Sequence, residues 1–178
     1  VIMALTRLPV ANTLSGTIAS TNIANASLNA VTALPGAIAT GKIGQVLSTE
    51  LNTYFTTTSA TFADVTGVDQ TITPSATTSK IFVMITGTCG KDNAANFHFQ
   101  IVRDTTAIYT TVWDSEHPNT NYDYNFALSI LDSPSSTSAL DYQLQMKTDS
   151  GTTSAVNSRV GSPANRGITN ITCWEVLA

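Results

Sequence analysis

This sequence predicts an all-β fold, a sandwich or a barrel, on three observations. Short runs of apolar, β-branched and aromatic residues recur from residue 42 to the end, separated by turn formers, and no stretch carries a helical period. Ser and Thr make up about a quarter of the chain while charged residues are only 11%; Thr suits pleated strands, and Ser and Asn suit turns. Two runs, residues 79–90 and 168–178, are apolar on both faces. A strand with water on one side alternates apolar with polar, so these two are expected in the middle of a sheet with both faces covered. The core covers one face. A second copy of the protein is expected to cover the other.

Taken in order, residues 1–41 form a segment apart, with Arg7 as their one charged residue. Ile18, Ile23 and Leu28 recur at a spacing that is neither a strand nor a helix period, among Ala, Thr, Ser and Asn. Such a segment buries its aliphatics only against other chains, so an extended, mostly irregular arm is expected, with these three residues as its assembly contacts. It lacks the charge of a solvated disordered tail. From Lys42 the pattern becomes that of strands, and residues 42–178 are expected to form one head domain. Residues 46–57 read as one or two short strands, and 62–73 as a strand, a turn near Gly67 and a strand, closed by Pro74 and Ser75.

After the run at 79–90, Phe97, Phe99 and Ile101 alternate with His98 and Gln100, the mark of a half-buried strand. Residues 106–113 follow across an Asp104-Thr105 turn, and residues 114–122 are the most polar loop of the chain. Phe126, Leu128 and Ile130 point inward from the next strand. Tyr142, Leu144 and Met146 alternate with Asp141, Gln143, Gln145 and Lys147 in the one after it. A Gly/Ser/Asn-rich loop, with a short strand near 155–159, leads to the closing strand. A last strand lying between earlier ones is natural for a jelly roll.

Composition also excludes. The net charge is −4 with eight scattered Lys and Arg, so no basic stripe awaits a nucleic-acid backbone or an anionic membrane. No apolar run approaches a membrane span, and the N-terminus lacks the plan of a signal peptide. No cofactor fingerprint, P-loop or nucleophile elbow is present. Asp114, Glu116 and His117 share a loop with Asp123 nearby, but without the spacing of a Ca²⁺ loop, so no metal is expected. Glycoside hydrolysis needs two converging carboxylates; the acids here are single, and nothing joins Glu50 to Glu175. Cys89 and Cys173 are read as buried thiols, a disulfide requiring their strands to be neighbours. Trp113, His117, Tyr122 and Tyr124 combine aromatic faces with polar groups, as receptor or glycan contacts do, and are the candidate binding residues. The plainer account makes Trp113 and Tyr124 core or rim residues at strand ends.

A family resemblance adds to this reading. GKIGQVLST, TFADVTGVDQTITPSATTSKIFVMITG, FQIVRDTTAI, LSILDSPSSTSALDYQLQMK and ITNITCWEVLA occur in an order similar to that of domains from the tail fibres and other appendages of tailed bacteriophages, marine ones especially. The strand plan resembles a C1q/TNF-like jelly roll, and TLSGTIASTNIANASL resembles the low-charge segments that precede such tips. The resemblance implies a non-enzymatic, homotrimeric protein at the surface of a virion: a tail-fibre tip that attaches to a host receptor or glycan. The alternative is a capsid decoration or head fibre whose arm braces the shell and meets other virion proteins. From another class, a secreted C1q-like lectin or ligand fits the same fold. Fold analogy names no receptor.

Overall fold

A computed structural model of the chain describes residues 43–92, 96–113, 123–149, 151–162 and 167–177. Ile18, Ile23, Leu28, His117 and Tyr122 lie outside the described residues. Among the described residues there are ten strands and no helix: β1 (Ile43–Leu51), β2 (Phe55–Thr57), β3 (Ala63–Ile72), β4 (Lys80–Lys91), β5 (Phe97–Arg103), β6 (Thr106–Trp113), β7 (Asp123–Asp132), β8 (Leu140–Lys147), β9 (Ser154–Val156) and β10 (Thr169–Val176).

They form two antiparallel sheets. In the first, β10 lies between β1 and β4, and β7 takes the far side of β4. β9 pairs with the last residues of β4 and β2 pairs with β9. β2 thus continues the line of β1, and β9 that of β10, which leaves a sheet four strands wide with two of its strands broken. The second sheet runs β3, β8, β5, β6. The chain crosses between sheets at six of the nine connections between the described strands and ends between its first and fourth strands. This is a jelly-roll β-sandwich, as the sequence predicts, and the two doubly apolar runs are its adjacent central strands.

The core follows from alternation. Ile81, Val83 and Ile85 of β4, Phe97, Phe99 and Ile101 of β5, and Tyr142, Leu144 and Met146 of β8 are all buried. Phe99 and Phe126 stack across the two sheets with centroids 4.7 Å apart, and Phe97 stacks on Phe99 at 6.2 Å. Gly67 proves not to be a turn between two strands. β3 runs through it, and the register against β8 shifts between Asp64 and Asp69 while Gly67 takes φ +88°. Val65 and Val68 both turn inward there, which a regular strand forbids for residues three apart.

Asn157 explains the breaks in the first sheet. It is fully buried with φ +66°, a conformation that Asn tolerates better than most residues. Its Nδ2 donates to the carbonyls of Leu51 (2.7 Å) and Thr53 (3.0 Å), where the chain leaves β1. Its Oδ1 accepts from Thr169 Oγ1 at 2.6 Å, where β10 begins. Its amide donates to Thr88 of β4 at 2.8 Å. One residue, by side chain and amide together, thereby ties three strands at the point where two are interrupted. Gly90 lets this segment pass close by: a Cβ there would stand 2.7 Å from the Ser158 carbonyl oxygen.

Both thiols are free and buried. Their strands are neighbours, but Cys173 lies opposite Val83 and Cys89 is six residues further along β4. At about 3.3 Å per residue that separates them by roughly 20 Å, far beyond disulfide reach.

Candidate assembly surface

The outward rows of the first sheet can be followed across β1, β10, β4 and β7 in turn. Val46, Trp174, Phe82 and Leu131 form one row, every member apolar. Ser48, Thr172, Met84 and Ser129 form the next, and Glu50, Asn170, Thr86 and Ala127 the one after. Val46 and Leu131 are each 50% exposed and Ile43, at the same end, 53%. The Phe82 and Trp174 rings lie between them with centroids 5.4 Å apart, only partly buried. The rest of the face is bonded within itself: Ser48 Oγ donates to Asn170 Oδ1 at 2.7 Å, as does Thr172 Oγ1 at 2.8 Å. Glu50 is the one carboxylate in these three rows. The outside of the first sheet is therefore an apolar band beside a hydroxyl-rich field, and no other described element lies over it.

The outside of the second sheet is different. Thr110, Gln100, Gln145 and Asp64 form a row in which each side chain bonds to the next: 3.4 Å from Thr110 to Gln100, 3.3 Å from Gln100 to Gln145, and 2.8 Å from Gln145 to Asp64. Lys147 lays its ammonium over the Phe62 ring at 5.3 Å. His98 Nε2 meets Asp149 Oδ1 at 2.9 Å, and Asp149 Oδ2 accepts from the Asn96 amide at 2.9 Å. The backbone donor first and His98 second hold the Asp149 carboxyl below its ordinary range.

Behind the apolar row, each strand turns a different residue inward at the next position: Glu175 beside Trp174, Ile81 beside Phe82, Asp132 beside Leu131. Both acids are clasped. Glu175 is 1% exposed; its Oε1 accepts from Ser75 N and Oγ, each at 2.6 Å, and its Oε2 from Gln45 Nε2 at 2.8 Å. Burial alone would raise its pKa, but the donors of Ser75, with Ser79 and Gln45 adding, outweigh it and hold the carboxyl at about 2. Asp132 Oδ2 accepts from Arg103 Nη1 at 2.6 Å and from Tyr142 OH at 2.7 Å, joining the first sheet to the second. Burial, then the Asp132 bond, pushes the Tyr142 hydroxyl above the phenol range.

These placements bear on the residues singled out in the sequence. Trp113 ends β6 and pairs with Phe97 in register. Tyr124 lies on β7, partly buried, its ring edge-on to Phe97 at 5.5 Å and its hydroxyl buried without a partner. It sits at the rim of the core. Glu50 and Glu175 fall on opposite faces of one sheet, so the carboxylate pair that glycoside hydrolysis needs does not form from them within the chain. Burial, with Asp123 adding, pushes the Cys89 thiol far up; burial and Asp141 push Cys173 up to about 12, so both stay protonated. In the sequence Glu175 is weighed only against Glu50, because the partners that clasp Glu175 and Asp132 belong to no local pattern. An acid at the end of an otherwise apolar strand was the available signal.

No family model and no curated protein matches the sequence. Among solved structures the chain is similar to that of the infectious bursal disease virus Gx strain, at 15% identity and a TM-score of 0.38, over 75% of this chain and 40% of that one. It is similar to the VP2 subviral particle of the same virus at 14% identity and 0.39, over 75% and 40%. For T=1 particles derived from that virus the values are 14% and 0.39, over 76% and 37%. The chain thus spans well under half the length of these proteins. At so low a TM-score the likeness assigns neither family nor function.

Proposed function

We propose that this chain is a non-enzymatic structural protein of a virus particle, whose jelly-roll head assembles as a homotrimer through the outer face of its first sheet. The observation that carries the reading is the row Val46, Trp174, Phe82 and Leu131: an apolar band across all four strands of a face whose neighbouring rows hold a single carboxylate. Monomeric proteins rarely leave such a contiguous band to water. A ring of copies buries it. The virion setting rests on the sequence resemblance to phage appendage domains and on the low-charge arm, which suits burial in a larger assembly. Within that setting we favour a tail-fibre tip engaged in host attachment, with Trp113, His117, Tyr122 and Tyr124 as the candidate receptor contacts. A capsid decoration braced by Ile18, Ile23 and Leu28 is the second reading, favoured by the near-absence of charge in residues 1–41, which suits burial against a shell.

The test is to probe purified particles and the soluble fraction of the producing lysate with antiserum against the chain. Labelling of particles at copy numbers in multiples of three is expected; protein confined to the soluble fraction contradicts the proposal. Label at the distal end of the tail selects attachment, and label spread over the shell selects decoration.

A further inference from the structure

We infer that Glu175 and Thr169, the polar residues on the inner face of β10, set the register of that strand and so decide which side chains the first sheet shows to a partner. The inference rests on reading the outer face as the assembly surface.

Burial fixes a strand's register only when its two faces differ, because a slip of one residue exchanges them. In β8 they differ sharply: Leu140, Tyr142, Leu144 and Met146 are buried, whereas Gln143, Gln145 and Lys147 face out. A slip there would bury two amides and an ammonium group. In the two central strands the faces are nearly alike. β4 turns Ile81, Val83 and Ile85 to the core and Phe82 and Met84 outward. β10 turns Thr169, Ile171, Cys173 and Glu175 inward and Asn170, Thr172, Trp174 and Val176 outward, two polar and two apolar residues on each face. Sliding β10 by one residue trades one mixed face for another of the same balance. The hydrophobic effect discriminates poorly between the two arrangements, yet only one presents Trp174 in line with Phe82, Val46 and Leu131.

The inner polar residues break the tie. In the observed register Glu175 meets two donors of Ser75, from the connection between β3 and β4, and one of Gln45, from β1. At the other end Thr169 Oγ1 donates to Asn157 Oδ1 at 2.6 Å. A slip of one residue turns Glu175 outward, strands the buried Asn157 side chain, leaves the exposed Ser75 donors to water, and sends Trp174 into the core. Leaving a buried group unpaired is costly, and fixing register is the best-attested use of a buried polar residue.

The test uses the full chain with Thr169→Val and Glu175→Met together, changes that keep volume and add apolar surface. The double variant is expected to remain folded, to show doubled methyl resonances from β4 and β10, and to lose at least tenfold in trimer affinity. Glu175→Gln, which keeps an acceptor for Ser75, is expected to give one set of resonances and wild-type assembly. A double variant with a single set of resonances and wild-type trimer affinity overturns the inference. So does one that is merely less stable but assembles normally over its folded fraction. If the double variant does not fold, Glu175→Met alone decides by the same spectra: a mixed population supports, a single one overturns. Wild-type protein that is monomeric refutes the assembly surface instead, while the resonances still judge the register.

Discussion

The two outward faces of the sandwich are set by the same strand alternation and differ in where their bonds go. On the second sheet, Gln100, Gln145 and Asp64 satisfy one another, and water meets a surface already closed upon itself. On the first, Val46, Phe82 and Leu131 offer no side-chain bonds and Trp174 only its indole N–H, so water meets mostly carbon. One face is bonded within the chain; the other is the one we propose a partner completes. Strand alternation makes both possible, because it separates what holds the head together from what the head shows.

The largest effect is expected from making the first face resemble the second. Phe82→Gln with Trp174→Gln removes both rings from the middle of the band. Central aromatic residues cost about 2 kcal/mol or more each when truncated in an interface, so trimer dissociation should rise by 100-fold or more in sedimentation experiments. The folded head should lose only about 1 kcal/mol from the ring pair.

Next comes the clasp behind that face. The Glu175 carboxyl has a folded pKa of about 2 against an ordinary 4.5. Its contribution to stability is therefore present above pH 4.5 and disappears as pH falls towards 2. The loss should amount to roughly 2–3 kcal/mol, read as the difference between wild type and Glu175→Gln in denaturant titrations at pH 6 and pH 2.5. Equal acid sensitivity of the two proteins would contradict the clasp.

The corresponding pair on the second face is more open, with the Asp149 side chain 41% exposed. His98→Ala should cost no more than about 1 kcal/mol in thermal unfolding, as exposed ion pairs do. Smallest of all, Gln145→Val should stay within about 0.5 kcal/mol of wild type. It should leave assembly unchanged, because one aliphatic among amides does not make a band.

Much of this was legible in the sequence, and the exceptions share a cause. β5 and β8 announce themselves because Phe97, Phe99 and Ile101, or Tyr142, Leu144 and Met146, keep phase with the pleat. β4 and β10 were legible as central strands because both of their faces are apolar. Gly67 misled: a glycine within a strand signals either a turn or a bulge, and only the burial of Val65 and Val68 distinguishes them. The Asn157 knot and the Glu175 clasp join residues roughly 100 positions apart. No local pattern encodes such meetings. Of the candidate binding residues, Tyr124 packs edge-on against Phe97 at the rim of the core, as the plainer account of that cluster expects.

The most direct measurement is the solution mass of the full chain, wild type beside Leu131→Lys. Leu131 is half exposed on the edge strand of the first sheet, so a lysine there leaves the core untouched. The account predicts a trimer for wild type and a folded monomer for the variant. A wild-type monomer, or a variant that remains a trimer at the same concentration, would mean that the apolar band is not where copies of this protein meet.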